Sequence, residues 1–120
     1  PGVSLFVEWN ADGSLKRYIS NQGHSRAVAE QAATYGAIVS TMAPGLATAY
    51  SQSTEMRWAP FRAMVVYGGD WAAVIGAGNQ GVWVDAATAN INDIVEVLGK
   101  PQGRSTFKRF PRAINTALKD

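Results

Sequence analysis

The sequence predicts an α/β domain in which a five-stranded antiparallel sheet packs against helices, in the order β-β-α-β-β-β-α. Two short runs of β-branched and aromatic residues open the chain, and a long segment with helical spacing follows. Three more short runs, separated by glycine-rich turns, precede a second helical segment. A length of 120 residues allows one such domain and excludes a second full one.

The first two strands are predicted from Val3 to Trp9 and from Leu15 to Ile19. The segment Asn10-Ala11-Asp12-Gly13 lies between them. Asp accepts hydrogen bonds from nearby backbone N–H groups and Gly tolerates positive φ, so this segment is typical of a turn. We expect a hairpin with a loop of about four residues.

A helix is predicted from about residue 25 to 42, with Ser25 placed as its N-cap. Its apolar residues recur at intervals of three and four along one stripe: Val28, Ala32, Tyr35, Val39 and Met42. Pro44-Gly45 interrupts this pattern. Because an interior proline costs about 3 kcal/mol, we expect a break there and a second helical piece to about residue 55. The alanines and Gly36 indicate close packing against a flat surface, which we expect to be the sheet.

Three strands are then predicted as a meander: Phe61 to Tyr67, Trp71 to Ile75 and Gly81 to Asp85. A helix follows, because its apolar residues again recur at helical spacing: Ile91, Ile94, Val95 and Leu98. Asp85 or Thr88 is expected to cap this helix, and Gly99 to end it.

The charge is unevenly distributed. Residues 1–99 carry eight acidic and five basic side chains, whereas residues 100–120 carry six basic and one acidic. We therefore divide the chain into a domain at 1–99 and a basic tail at 100–120. A short amphipathic helix is predicted in the tail, with these candidate contact residues: Phe107, Lys108, Arg109, Phe110, Arg112, Ile114 and Leu118.

The composition excludes several kinds of chemistry. Without cysteine there is no disulfide, thiolate nucleophile or thiolate metal site, and a single histidine excludes a site with two imidazoles. No apolar run approaches the roughly 20 residues needed to cross a bilayer, and no signal peptide is apparent. Asp70 and Asp85 lie at turns, where Asp is favoured for its backbone hydrogen bonds. We predict a cytoplasmic protein that is not an enzyme and has no metal or cofactor.

The segment Gly76-Ala77-Gly78-Asn79-Gln80-Gly81 matches the pattern G-x-G-x-x-G of dinucleotide-binding proteins. That fingerprint requires a helix after the glycines, because the helix N-terminus binds the pyrophosphate. Here a predicted strand follows instead. The glycines therefore indicate a hairpin turn.

Four tryptophans are more than a small sheet needs for its core. Trp71 and Trp83 lie on adjacent predicted strands and are expected to stack across the sheet. Trp9 and Trp58 lie at the ends of elements, where we expect an aromatic side chain to face a partner or a pocket.

The predicted order resembles the Roadblock/dynein light chain fold, a profilin-like α/β sandwich. The sequence is closer still to a small prokaryotic family of uncharacterised domains related to Roadblock. The resemblance covers about residues 1–98 and is carried by these pieces: Pro1-Gly2-Val3, Asp12-Gly13-Ser14-Leu15, Glu55-Met56-Arg57-Trp58-Ala59-Pro60, Val66-Tyr67-Gly68-Gly69-Asp70-Trp71 and Gly81-Val82-Trp83-Val84. Roadblock-like domains usually begin with a helix, and this chain begins at its first strand. The apolar face of the tail is expected to take that helix's place on the sheet.

The resemblance implies a non-catalytic domain that dimerises and regulates or scaffolds other proteins, such as a small GTPase or subunits of a complex. It implies a homodimer paired through the first strand of the meander. The predicted interface comprises Phe61, Arg62, Ala63, Met64, Val65, Val66 and Tyr67, supported by Tyr50, Met56 and Trp58. An unpaired edge strand of this composition is an aggregation hazard, so pairing is also physically favoured.

Two alternatives stay open. One is a small-molecule sensor with a pocket between helix and sheet, lined by Trp58 or Trp71. The other, which we favour least, is nucleic-acid binding through the basic tail, with binding that depends steeply on salt.

Overall fold

The computed structural model describes residues 3–98. The elements in chain order are β1 (Val3–Trp9), β2 (Leu15–Ser20), α1 (Arg26–Thr54), β3 (Ala63–Tyr67), β4 (Trp71–Gly76), β5 (Gln80–Asp85) and α2 (Ile91–Leu98). This is the predicted order β-β-α-β-β-β-α. The predicted tail contacts, from Phe107 to Leu118, lie outside the described residues.

All five strands form one antiparallel sheet in the order β2-β1-β5-β4-β3. The first hairpin and the meander are joined by β1, which pairs with β5. β1 is therefore central, and its side chains are buried on both faces. β3 lies at one edge of the sheet and β2 at the other, so the first strand of the meander is an edge strand as expected.

α1 packs on one face of the sheet, with its small residues against the strands. Its buried residues are Ala29, Ala32, Ala33, Gly36, Ala43 and Ala47. Two large members of the predicted helical stripe do not face the sheet, since Tyr35 and Met42 are 66% and 67% exposed. Helix and sheet approach too closely for large side chains to lie between them, so these point to solvent.

Trp9 occupies the space that the small residues leave. It is 3% exposed, packs against Gly36 of α1 and lines a cavity of about 250 Å³ under this helix, so of the predicted partner or pocket the structure shows a pocket. The prediction of close packing by Gly36 is confirmed. Leu5 and Val7 of β1 complete this core together with Ile75 of β4.

α1 continues through Pro44 as one helix of 29 residues, so the predicted break is wrong. Pro44 lies on the exposed side of the helix, between the buried Ala43 and Ala47. A proline at this position displaces no packed side chain, and the packing of the two alanines on the sheet holds the helix axis in place. Ser25 accepts a hydrogen bond from the backbone N–H of Val28, as predicted for the N-cap.

α2 packs on the opposite face, chiefly against β4. Ile94 and Leu98 contact a core formed by the side chains that the strands direct to this face, with Phe6 and Val74 at its centre. The cap of α2 is Asn90, whose side chain accepts a hydrogen bond from the backbone N–H of Asp93. The prediction of Asp85 or Thr88 as cap is wrong, because these residues form a turn before the helix: Asp85 O accepts from Thr88 N.

The glycine-rich segment at 76–81 forms the β4–β5 turn, with Asn79 at a φ of 59°. A strand follows it, so the helix that a dinucleotide fingerprint requires is absent at this point. Within residues 3–98, no helix is long and apolar enough to span a membrane.

Candidate interaction surface

β3 is an edge strand, so some of its backbone N–H and C=O groups point away from the sheet. In an antiparallel ladder, hydrogen-bonded residue pairs alternate with non-bonded pairs. The residue pairs that flank β3 are hydrogen-bonded, because Arg62 O accepts from Ala77 N and Gly68 N donates to Trp71 O. By alternation, Met64 and Val66 also bond to β4. The outward N–H and C=O groups therefore belong to Ala63, Val65 and Tyr67, and we call this set the β3 edge.

The side chains of β3 alternate between the two faces of the sheet. Val65 opposes Val74 and packs, half-buried, against the core on the α2 side. Val66 opposes Ala73 on the α1 side and is 48% exposed. Tyr67, at the end of the strand, is also exposed.

α1 carries a row of large apolar side chains on its solvent side. They recur at intervals of three and four, and each is at least 43% exposed: Tyr35, Ile38, Met42, Leu46 and Tyr50. We call this row the α1 stripe. Soluble proteins rarely leave contiguous large apolar patches uncovered without a partner, so the row identifies a candidate contact surface.

The chain after α1 extends this apolar surface. The helix ends at Thr54 and is capped by Glu55, which has a left-handed φ of 60°. The next residues fold back, because the hydroxyl of Ser51 accepts hydrogen bonds from the backbone N–H groups of Trp58 and Ala59. This brings the Trp58 ring to 5.3 Å from the ring of Tyr50, measured between centroids.

Two adjoining hollows lie on the α1 side of the sheet, where α1 leaves β3 and β4 uncovered. A cavity of about 250 Å³ under α1 is lined by residues that include Tyr35, Val66 and Trp83. An open cleft of about 450 Å³ is lined by Ser4, His24, Val66, Gly68, Trp71, Ala72, Ala73 and Trp83. Because Tyr35 belongs to the α1 stripe and Val66 to β3, the hollows connect the stripe to the β3 strand.

The cleft contains two indole rings and one imidazole. The ring of His24 meets Trp83 edge-on, with centroids 5.8 Å apart. Trp71 opposes Asp85 and Trp83 opposes Ala73, so the two tryptophans are diagonal neighbours and not directly paired. Trp71 lines the cleft as the sensor alternative expected, whereas Trp58 lies against Tyr50 instead.

The carboxylates of Asp85 and Asp12 accept hydrogen bonds within turns, as the sequence predicted. The carboxylate of Asp85 accepts a hydrogen bond from the backbone N–H of Ala87. Two hydrogen bonds from Ser14, one from its hydroxyl and one from its backbone N–H, hold the pKa of the exposed Asp12 carboxyl below its ordinary value. No group of three or more potential metal ligands occurs within residues 3–98.

Comparison with known families identifies the chain. A family model described as "Uncharacterized conserved protein (DUF2173)" matches residues 1–100. The chain belongs to the DUF2173 family. No curated protein matches it.

The fold of this DUF2173 chain matches that of a solved Roadblock domain. The structure is titled "Crystal Structure of Roadblock/LC7 Domain from Streptomyces avermitilis", and it superposes with a TM-score of 0.65 at 10% sequence identity. The match covers all of this chain and 88% of the Streptomyces chain. The predicted Roadblock-like fold and the predicted membership of an uncharacterised family are thereby confirmed.

The structure brings the predicted interface residues of this DUF2173 chain into two groups. One follows the edge of the sheet: Phe61 and Arg62 immediately before β3, then Ala63, Met64, Val65, Val66 and Tyr67 within it. The other is the C-terminal end of α1 with Tyr50, Met56 and Trp58, all at least 43% exposed. Tyr35, Ile38, Met42 and Leu46 were not among the predicted interface residues. The sequence does contain a pattern that could have identified them, because they form a second row at helical spacing beside the row of alanines.

Proposed function

We propose that this DUF2173 domain is a non-catalytic, dimerising protein-interaction module. The observation that carries the proposal is the adjacency of an open strand edge and an exposed apolar helix row. The β3 edge offers unpaired backbone groups, and the α1 stripe offers apolar area on the side of the molecule to which the cleft opens. The fold it shares with a Roadblock/LC7 domain is consistent with a regulatory or interaction role.

The geometry of β3 supports a two-fold arrangement centred on Val65. The outward groups belong to Ala63, Val65 and Tyr67, which are symmetric about Val65. If β3 pairs antiparallel with its copy so that Val65 opposes Val65, then Ala63 opposes Tyr67 of the copy. Every outward N–H and C=O of these residues then has a partner, and the two sheets become continuous.

The α1 stripe is tested by a single charge at its centre. Met42→Glu places a carboxylate where two apolar surfaces would meet, so we expect the dimer to dissociate at micromolar concentration. Thr41→Glu is the matched control, because Thr41 is exposed on the polar side of the same helix turn. Light scattering on the full chain measures both masses. A wild-type monomer, or equal dissociation by both variants, would contradict the proposal.

The β3 edge needs a variant that spares the core. Val65→Asp is a poor choice, since the Val65 side chain packs on the α2-side core and a charge there destabilises the fold. Ala63→Pro removes one outward N–H at the first residue of the strand, a position that tolerates proline. We expect weaker self-association with a nearly unchanged far-UV spectrum. Unaltered self-association would place the interface elsewhere.

A second candidate function is supported by the tryptophan cleft. An apolar hollow of about 450 Å³ with two indoles has the size and lining of sites for small planar ligands. Titration of tryptophan fluorescence with metabolite pools tests it, with Trp71→Phe and Trp83→Phe to assign the signal. A response that persists in both variants would exclude this cleft. The small GTPase or complex subunit implied by the resemblance stays a proposed partner, to be sought with the dimer.

A further inference from the structure

The cavity under α1 is lined by apolar side chains from the helix and from the sheet. Tyr35 and Val39 line it from α1, and Val66, Ala73 and Trp83 line it from the sheet. None of the described residues around it is charged. Its volume of about 250 Å³ exceeds that of an engineered apolar cavity of roughly 150 Å³ that stays dry and binds benzene. The cavity therefore has the size and the lining to hold a small uncharged ring.

Val66 forms the wall of this cavity at the edge of the sheet. It opposes Ala73 of β4, and it lines both the cavity and the open cleft. Of the five residues of β3, which are all described, Val66 alone lines the cavity. Its side chain is half-exposed, and β3 is the last strand on this side of the sheet. Within one copy of the domain, the sheet thus closes this side of the cavity incompletely.

Met64 points to the same face of the sheet as Val66. The two residues are separated by one position in β3, and side chains two apart in a strand share a face. Met64 opposes Ile75 of β4, whose side chain belongs to the core under α1. Although Met64 lies on this face, it does not line the cavity of its own chain.

The proposed pairing of β3 with its copy brings Met64 of the second copy next to Val66. When Val65 opposes Val65 of the second copy, Val66 opposes Met64 of that copy. The outward backbone groups belong to Ala63, Val65 and Tyr67, so the pair formed by Val66 and Met64 is not hydrogen-bonded. The side chains of such a pair share one face of the sheet, with Cβ atoms about 4.5–5.5 Å apart. Met64 of the second copy therefore extends the wall that Val66 begins.

A methionine is well suited to close a cavity that holds a ring. Its unbranched side chain adapts to irregular gaps, and its thioether sulfur makes favourable contacts with aromatic rings. Tyr35 lines the cavity from α1 and is nevertheless 66% exposed, so its ring lies at the opening. In the proposed dimer, the opening is then bounded by Tyr35 on the helix and by Met64 of the second copy on the sheet.

We infer that the cavity under α1 is a binding site for a small uncharged ring, shared between two copies of the chain, with Met64 of the second copy as its outer wall. This inference rests on the proposed dimer. A ligand that contacts Met64 of the second copy binds the dimer more tightly than the monomer. By linkage, the same ligand strengthens dimerisation, and coupling of this kind typically amounts to about 5–150-fold in affinity.

Benzene is the probe for this site. Its affinity is measured on the full chain from the NMR shifts of the Val39 and Val66 methyl groups, at protein concentrations below and above the midpoint of dimerisation. We expect the dimer to bind benzene at least about fivefold more tightly than the monomer. Light scattering on the same samples gives the mass. A dimer that binds benzene no more tightly than the monomer, or not at all, would overturn the inference alone. A monomer at every concentration would overturn the proposed dimer as well.

Two variants and a contact measurement assign the effect to Met64. Met64→Ala removes the outer wall and leaves the β3 backbone able to pair, so the dimer should lose its advantage in binding benzene. Tyr67→Ala is the control, because Tyr67 lies on the same strand and points to the α2 side; it should keep that advantage. Equal behaviour of the two variants contradicts the role of Met64. In a mixture of differently labelled wild-type copies, we expect an intermolecular NOE between the methyl groups of Met64 and Val66, and its absence in a dimeric sample would refute the shared wall.

Discussion

Trp9 and Gly36 fit together so closely that no side chain can be added between them. A Cβ built on Gly36 would lie 2.8 Å from the Cη2 and Cζ3 atoms of the Trp9 ring. Trp9 is buried at the end of β1, and Gly36 lies in the first half of α1. This contact sets the distance between the helix and the sheet, and so it determines which side chains of α1 face solvent.

Gly36→Ala should therefore destabilise the domain although alanine is the better helix former. Overpacking of a filled core lowers the free energy of unfolding by about 1–3 kcal/mol, whereas the higher helix propensity of alanine raises it by about 1 kcal/mol. Gly45→Ala is the control, since nothing lies within 4 Å of a Cβ at that helical position. We expect it to stabilise the domain by up to about 1 kcal/mol. Urea denaturation measures both, and stabilisation by both variants would refute the tight contact.

The ion pair of Glu8 should matter far more than the ion pair on the surface of α1. Glu8→Ala leaves Arg17 without its buried carboxylate, and loss of one partner of a buried pair costs about 3–5 kcal/mol. The partly exposed Arg17 can rehydrate, which favours the lower end of that range. Glu30→Ala removes an exposed partner of Arg26 and should cost about 0.5 kcal/mol or less. Thermal unfolding of the two variants compares them, and similar losses would mean that Glu8 is hydrated.

The hairpin loop should respond to acid through Asp12. Hydrogen bonds from Ser14 stabilise the ionised carboxylate, so its pKa is lower in the folded state than in the unfolded chain. The stabilisation is present above the unfolded pKa and is lost as the pH falls through the lower folded pKa. Ser14→Ala should raise the pKa of Asp12 towards its ordinary value. NMR titration of the carboxyl carbon measures this, and an unchanged midpoint in the variant would contradict the role of Ser14.

Much of the fold followed from local patterns in the sequence. The bounds of β1 were predicted as Val3 to Trp9, and the apolar residues of α2 were predicted from Ile91 to Leu98, because alternation and helical spacing are properties of short segments. The β4–β5 turn was also predicted. A strand follows the glycines where a dinucleotide-binding motif would have a helix, so the glycines were interpreted as a hairpin turn. These features need no knowledge of distant contacts.

Two errors arose because residue type was considered without the structure around the residue. Pro44 predicted a break, but the helix continues, because the proline faces solvent and the buried Ala43 and Ala47 on either side of it hold the axis to the sheet. Asp85 and Thr88 are both good capping residues by type, yet Asn90 takes the position once the preceding turn is formed. Residue type alone does not choose among neighbouring candidates.

The part of the candidate surface on β3 was predicted from the sequence, whereas most of the part on α1 was not. The residues of β3 were anticipated from the resemblance, whereas the outward groups of Ala63, Val65 and Tyr67 follow only from the register with β4. On α1, an alanine row and a row of large apolar residues share the same helical spacing. The sequence by itself determined the elements, their order and the fold class, because these depend on local periodicity and turn chemistry. The tertiary structure decided which row is buried, because only the approach of Trp9 to Gly36 makes the space too narrow for the larger one.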